Sequence, residues 1–494
     1  MNVKNKVLAN SLLYTFSSLL IKGISFLLLP IYTQYLTPED YGITNLVSGF
    51  IQVATVLISF SLYTSAIRFF SDYKNDSQKL NRFYSTIITF LIISGISLFS
   101  ISIVFHDIII AIMFQKIQFY PIVFMSLQLM VFISLSTMHQ SILQGMQQGK
   151  KLTIINIIVF IITAALKIYF IAFLNLGVVG FLLAQLIVNA SYIILMYVDL
   201  KRNNLFNFYL DYKILIEALK YSIPLIPHTL STRIASIASR LFINNNATLY
   251  VVGIYSIAIQ FGTLIDTIQV SVNRAFQPWF YEMMNNNDHE SRKEAVDFSN
   301  ILLILYSSMY MVIGLFSQEA VIIMTNERYL LAWTVIPILV IGYSIKSIYY
   351  FYVNIILFHK LAARKLFVAT IIGSLADITL AYILIPLYGM YGASIAFVIA
   401  KIIVVTIVVF ISKHYNDVGY RLTRMIVTIL PSLIFMSIGL YFSYSKYSSM
   451  YSWNNLFYKV VIMLIFLLFT YYTNKTTIKK VIKSNSVQRV FKRS

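Results

Sequence analysis

The chain contains no cysteine. Disulfides, thiolate-ligated zinc, iron–sulfur clusters and thiol nucleophiles are all excluded. Charge is scarce too. Asp, Glu, Lys and Arg make up 11% of the 494 residues, and acids are the rarer sign, 18 against 38 bases. Motifs of catalysis are missing. The nearest approach to a nucleotide-binding loop, GMQQGKKL at 145–152, has three residues between its glycines and a Lys where Ser or Thr is required. No H-E-x-x-H or G-x-S-x-G occurs, and the six histidines have no metal spacing. Loops of any length are also lacking, so there is room neither for an outer catalytic domain nor for a nucleotide-sugar fold on the inner side.

What remains is apolar. Hydrophobic residues make up 59% of the chain and mean hydropathy is +0.78. A soluble protein of this size could not cover that surface. Apolar stretches of about 20 residues recur, each long enough to cross ~30 Å of hydrocarbon. The backbone must satisfy itself there, and the runs lack the alternation of a barrel, so the spans are helices. The fold class is all-α, a polytopic membrane protein. Fourteen spans are expected: 8–30, 43–67, 83–105, 119–142, 152–174, 178–198, 218–241, 250–272, 297–318, 330–357, 366–386, 389–411, 422–443 and 455–473. The first run is too long for a signal sequence and has no small-residue cleavage site, so it reads as a retained span.

Orientation follows from Lys and Arg, which concentrate in cytoplasmic loops. With both termini inside, 28 of the 38 bases fall on the inner side. Four fall outside (Lys116, Arg328, Lys446 and Lys459) and six within spans. The net charge of +20 is thus mostly topology and contact with anionic inner-leaflet lipid; no nucleic-acid partner is implied.

The chain also repeats. At an offset of 211 residues Gly42, in YGITNL, falls on Gly253, in VGIYSI; at 212, LGVVG (176–180) falls on YGMYG (388–392). The offset equals six spans, so the halves share one orientation, a parallel repeat. The expected divisions are 1–205 (spans 1–6), 206–415 (spans 7–12), and 416–494 (spans 13–14 with a basic tail). The two six-helix lobes are pseudo-symmetric. The 211 offset also places Lys22 on Arg233, Ser11 on Ser222, Ser18 on Thr229 and Ser25 on Ser236. Each set lies within about 60° around a helix, so spans 1 and 7 carry matching polar, cationic stripes.

A Lys or Arg at mid-bilayer costs roughly 2.5–3.5 kcal/mol. Arg240 and Lys167 lie towards outer span ends, where long side chains snorkel. Lys22, Arg233, Lys346 and Lys401 lie near span centres. Two acids, Asp266 and Asp377, cannot neutralise six cations, so a water-filled cationic cavity between the lobes is expected. Structural ion pairing is the alternative. Such a cavity suits an anion, and a phosphate or pyrophosphate is the usual partner of Arg and Lys. Gln52, Gln185, Asn189, Gln260, Tyr343, Tyr349, Tyr350 and Asn354 are available for sugars, or for holding helices together. Pro224 and Pro227 in span 7 each remove a helix hydrogen bond, which either allows bending or leaves a static kink.

Several stretches resemble a known family. PIYTQYLTPEDYGITNLVSGF (30–50), LKYSIPLIPHTLS (219–231), YVVGIYSIAIQFG (250–262) and RAFQPWFYEMM (274–284) are similar to segments of Wzx-type oligosaccharide flippases of the MOP exporter superfamily. The resemblance runs from span 1 to about span 12. It implies a two-lobed, MATE-like bundle of about 14 helices in the bacterial plasma membrane, with no enzymatic activity. It implies movement of undecaprenyl-pyrophosphate-linked oligosaccharide repeat units to the outer leaflet for capsule, O-antigen or exopolysaccharide synthesis. Alternating access, no cofactor, a proton or sodium gradient, and work beside polysaccharide polymerase and chain-length proteins are part of the same expectation. Substrate-binding candidates are then Lys22, Arg233, Arg240, Lys346, Lys401 and Lys167; ion-coupling candidates are Asp266 and Asp377; no metal site is expected. The alternatives are a lipid II or other peptidoglycan-precursor flippase, a polymerase, or an assembly scaffold. A basic cavity argues against an exporter of cationic drugs.

Overall fold

The structure, a computed structural model, describes residues 3–286, 288–359, 366–415, 418–448 and 450–482. Every regular element among them is helical. The basic tail beyond Ile482 and the loop cations Lys360, Arg364 and Lys365 lie outside the described residues.

The chain divides into two compact units, Met1–Ser256 and Ile257–Ser494. The first holds α1 (Val3–Leu27), α2 (Leu29–Tyr35), α3 (Pro38–Ser59), α4 (Leu62–Arg68), α5 (Phe70–Tyr73), α6 (Ser77–Val104) and α7 (His106–Met113). It continues with α8 (Phe124–Gly145), α9 (Gly149–Ile168), α10 (Gly177–Arg202), α11 (Tyr212–Ser222), α12 (Ile226–Asn246) and the start of α13 (Leu249–Asn286). Its centre is α8, which packs on α3, α4, α6 and α10, while α1 lies on α9 and α12 on α3. The start of α3 shows how sequence sets a helix end. Thr37 Oγ1 accepts from the Asp40 amide and the Asp40 carboxylate from the Thr37 amide, both at 3.1 Å, with Pro38 in the first turn. This reciprocal cap satisfies two amides that the helix leaves unpaired.

The second unit holds the rest of α13, then α14 (His289–Leu315), α15 (Ser317–Met324), α16 (Ile336–Phe358), α17 (Leu366–Ser412), α18 (Leu422–Ser445) and α19 (Trp453–Ile482). Here α16 packs on α14 and α17, and α14 on α18 and α19. Without a hydrophobic drive between helices in lipid, close packing and interhelical hydrogen bonds hold such a bundle. Ser307 Oγ of α14 donates to the Thr428 carbonyl of α18 at 3.0 Å.

Among the described residues twelve helical stretches are long and apolar enough to cross a bilayer, and two features separate that number from fourteen. The stretch Leu366–Tyr415 contains the expected spans 366–386 and 389–411, parted at Gly389 (φ 55°, ψ −131°). That backbone region is essentially glycine's alone. Gly177, its partner in the repeat, also has positive φ, at 51°. The other is α12, the expected span 7. It is 21 residues long but carries two arginines and three terminal asparagines, which make it more polar than the other spans. Both prolines lie where the expected span 7 passes from α11 to α12. Pro224 lies in a short 3-10 turn between α11 and α12, and Pro227 lies in the first turn of α12, where no intrahelical donor is lost.

Candidate functional site

In the first unit the site candidates gather on α12. One face, with Ile237, Ala238 and Ile243, is buried; Ile237 packs at Gly49 of α3, where a Cβ would come within 2.6 Å of its side chain. The opposite face exposes Arg233 and Ser236. A bilayer-length helix with a charged, exposed face cannot turn that face to acyl chains, so it faces water. Arg233 Nη1 donates to Gln52 Oε1 of α3 at 2.7 Å. The partner is a neutral amide, so the charge is oriented and not cancelled. Two turns on, Arg240 donates from Nη1 to the Ser236 carbonyl (3.0 Å) and from Nε to Ser256 Oγ (3.3 Å).

Lys22 is exposed on α1. Its stripe is only partly mirrored: Ser222 is buried at the end of α11, so the matching row on α12 runs from Thr229 to Ser236. Lys167 takes another course. Its Nζ sits 3.5 Å from the centroid of the Phe181 ring, a cation–π contact that stabilises the charge away from water. By sequence, the spans of this unit carry acids only near their ends, Glu39, Asp40 and Asp199. The centres of these spans hold no acid.

The second unit is arranged differently. Lys346 Nζ lies 2.6 Å from Asp266 Oδ1, and Tyr350 donates to the same oxygen at 3.2 Å. Lys401 Nζ stands 4.6 Å from the Phe397 centroid, and its charge interacts with Asp377, Lys346 and Asp266. Asp377 Oδ1 is buried without a hydrogen-bond partner among the described residues. Two cations and two acids from α13, α16 and α17 thus form one network whose formal charges balance. Asn354 donates to Asn273 at 2.8 Å. Gln269, which drew no notice in the sequence, donates to Tyr310 Oη (2.6 Å) and the Tyr343 carbonyl (2.9 Å).

Two further clusters depend on interhelical register, which sequence spacing does not reveal. Lys459, assigned to an outer loop by charge counting, lies inside α19, fully buried. Its Nζ reaches both Glu319 carboxylate oxygens at 2.8 Å and Gln318 Oε1 at 3.3 Å. In the first unit buried His139 bridges Tyr192 Oη and Asp199 Oδ2, each at 3.0 Å, and Lys151 pairs with Asp199 Oδ1. This cluster borders a cavity of about 940 Å³ also lined by Lys150 and Arg202. No group of His and acidic residues suited to a metal ion occurs among the described residues.

The chain is thus a helical membrane bundle with charged groups set into its spans. The chain belongs to the polysaccharide biosynthesis protein family, whose profile matches residues 7–284, more than half of it. Among solved structures it is similar to the lipid II flippase MurJ in an inward closed conformation. The identity is 18%, the TM-score 0.69, and the match covers 95% of this chain and 100% of that one. It is also similar to an inward-facing multidrug resistance MATE family transporter (14%, TM-score 0.60, 85% and 95% covered). A third is a MOP superfamily transporter from Pyrococcus furiosus, described as having a binding pocket of reversed polarity (15%, TM-score 0.52, 83% and 97% covered). At these identities the likeness establishes the fold. No curated protein matches the chain.

Proposed function

We propose that the protein is a flippase that moves a pyrophosphate-linked oligosaccharide on a polyprenyl lipid from the inner to the outer leaflet of a bacterial plasma membrane, for polysaccharide assembly. The observation that carries this reading is Arg233. It is exposed on the wet face of α12 and held by neutral Gln52, in a unit whose spans carry no central acid. Membership of the polysaccharide biosynthesis family supports a saccharide cargo.

The residues divide into two tasks. Arg233 and Arg240, seven residues apart on α12, present guanidinium groups to the pyrophosphate or to an acidic sugar, with Lys22 adding positive charge from α1. Guanidinium forks match phosphate oxygens in pairs, and the effect is strongest where water is partly excluded. The balanced network of Asp266, Lys346, Asp377 and Lys401 serves ion coupling. Protonation or sodium binding at either carboxylate breaks the balance and biases one conformation of alternating access. Lys167, engaged with Phe181, contributes least to the substrate.

The test is headgroup translocation in proteoliposomes, scored by leaflet exposure of a lipid-linked oligosaccharide, for wild type beside Lys22→Ala with Arg233→Ala. Loss of transport in a correctly inserted double variant supports the reading, and full activity overturns it. The likeness to a lipid II flippase over its whole length favours a second reading, a peptidoglycan-precursor cargo. The same vesicles loaded with lipid II decide between the two cargoes.

A further inference from the structure

The start of α18 carries a cluster that the transport reading does not use. A cavity of about 520 Å³ opens there, lined by Arg421, Arg424, Asn300, Tyr420, Val296 and Met425 among others. Among the described residues no carboxylate lines it. Arg421 is the N-cap residue of α18, and its side chain makes no capping hydrogen bond. A 24-residue helix therefore presents its positive end and its first amides without a side-chain cap.

A second observation is independent of the helix end. Asn300 of α14 is 5% exposed, and its amide nitrogen is buried without a hydrogen-bond partner among the described residues. A buried donor left unmet is costly and calls for an acceptor. Its neighbours are fixed. Ser299 Oγ and Tyr420 Oη lie 2.8 Å apart, and Tyr420 stacks on Phe280 at 6.4 Å between centroids. Tyr420, just before α18, is thus pinned to α14, and the cavity is built into the packing. Two guanidinium groups, an open helix N-terminus and an orphaned amide are all donors. Their common complement is an oxyanion.

The apolar lining indicates what carries that anion. Val296 and Met425 line the same cavity, and Val427, two residues beyond Met425, lines it too and is 65% exposed. An apolar strip thus leads from the donors along α18, whose length and composition are those of a membrane span. In the orientation given by the loop charges, this end of α18 meets the inner leaflet. A ligand with a phosphate at one end and an acyl chain at the other fits both parts. Basic pockets between helices at the cytoplasmic surface hold acidic lipid headgroups by the same forces. The larger cavity at Lys150 and Arg202 is a weaker candidate, since Asp199 lines it and pairs with Lys151.

We propose that Arg421, Arg424 and Asn300 form a binding site for the phosphate of an anionic phospholipid, separate from the transported cargo. The test uses the full-length protein in phosphatidylcholine nanodiscs doped with phosphatidylglycerol, with lipid retained after detergent extraction measured by native mass spectrometry. Wild type retains phosphatidylglycerol in preference to phosphatidylcholine. Arg421→Gln with Arg424→Gln retains about thirtyfold less, from roughly 1 kcal/mol per basic residue at a membrane surface. Asn300→Asp, which replaces the orphaned donor with a negative acceptor, lowers retention independently, so the proposal stays testable if the double variant does not fold. Equal retention by wild type and a folded variant overturns the proposal. Equal retention of phosphatidylcholine overturns it too. Displacement of the lipid by millimolar inorganic phosphate assigns the site to free phosphate and overturns the lipid assignment.

Discussion

Gly42 of α3 and Gly253 of α13 face each other. A Cβ on Gly42 would lie 2.5 Å from the Leu249 carbonyl oxygen and 3.1 Å from the Gly253 amide, and one on Gly253 would run into the Pro38 carbonyl. The 211-residue offset that paired these glycines in sequence therefore reappears as a contact within the first unit. A residue and its repeat equivalent touch, each giving the other a flat patch of backbone, and glycine alone lets two helices approach so closely.

The contact predicts a selective cost. Gly253→Ala must push two backbones apart, and overpacking of this kind costs about 1–3 kcal/mol. Gly23→Ala is the control, because a Cβ there meets nothing within 4 Å and alanine favours the helix by about 0.5–1 kcal/mol. Thermal unfolding of the purified protein should show a lower Tm for the first variant and an unchanged or higher one for the second. Equal behaviour of the two would remove the argument from close approach.

Arg233 predicts a distinction between charge and geometry. Arg233→Lys keeps the charge but loses the planar fork and the 2.7 Å bond to Gln52. Transport should fall roughly tenfold or more, the worth of one charge-assisted hydrogen bond. Gln52→Leu should lower transport in the same direction by releasing the guanidinium. Lys167→Met should have the smallest effect, since its charge rests on the Phe181 ring. Initial rates of lipid-linked oligosaccharide exposure in proteoliposomes check the order. An unchanged Arg233→Lys would place the anion site elsewhere.

The pair of Asp266 and Lys346 predicts coupling in both senses. Asp266→Asn and Lys346→Met each leave a charge whose partner is gone. Both groups are partly exposed, at 30% and 25%, so water limits the loss in each to about 1–2 kcal/mol. The double variant should recover part of it, and a double-mutant cycle by thermal unfolding measures how much. If the carboxylate couples transport to an ion gradient, Asp266→Asn should also make flipping insensitive to an imposed proton or sodium gradient. Retained gradient dependence would confine Asp266 to a structural role.

Hydropathy and loop charge were enough to locate the spans, because each is local along the chain. The all-helical membrane fold followed from them, down to the break between Leu387 and Met390, where Gly389 is needed for its backbone. Partnerships across helices were not legible. Lys346 is one residue type in one span until the register of α13 against α16 brings Asp266 to it. The same holds for His139 and Asp199, 60 residues apart. The resulting division, spans without a central acid in the first unit and a balanced network in the second, depends on which acids reach which bases. Composition alone counted six cations against two acids and could not sort them.

Lys459 marks the same limit and yields the firmest stability prediction. Charge counting placed it outside, although the expected span 455–473 contains it and it lies within α19. Its side chain is wholly buried, and that of Glu319 is 10% exposed. Two charges so far from water persist only because each satisfies the other, with Gln318 Oε1 accepting a further donor. Lys459→Ala strands the Glu319 carboxylate and should cost about 3–5 kcal/mol. Lys459→Met with Glu319→Leu removes both charges at similar volume and should be nearly neutral, since desolvation of a buried pair offsets most of its attraction. Unfolding of both variants in detergent gives the comparison. A double variant as unstable as the single one would mean that the pair contributes net stability of its own. Recovery in the double variant would assign the loss to the stranded carboxylate.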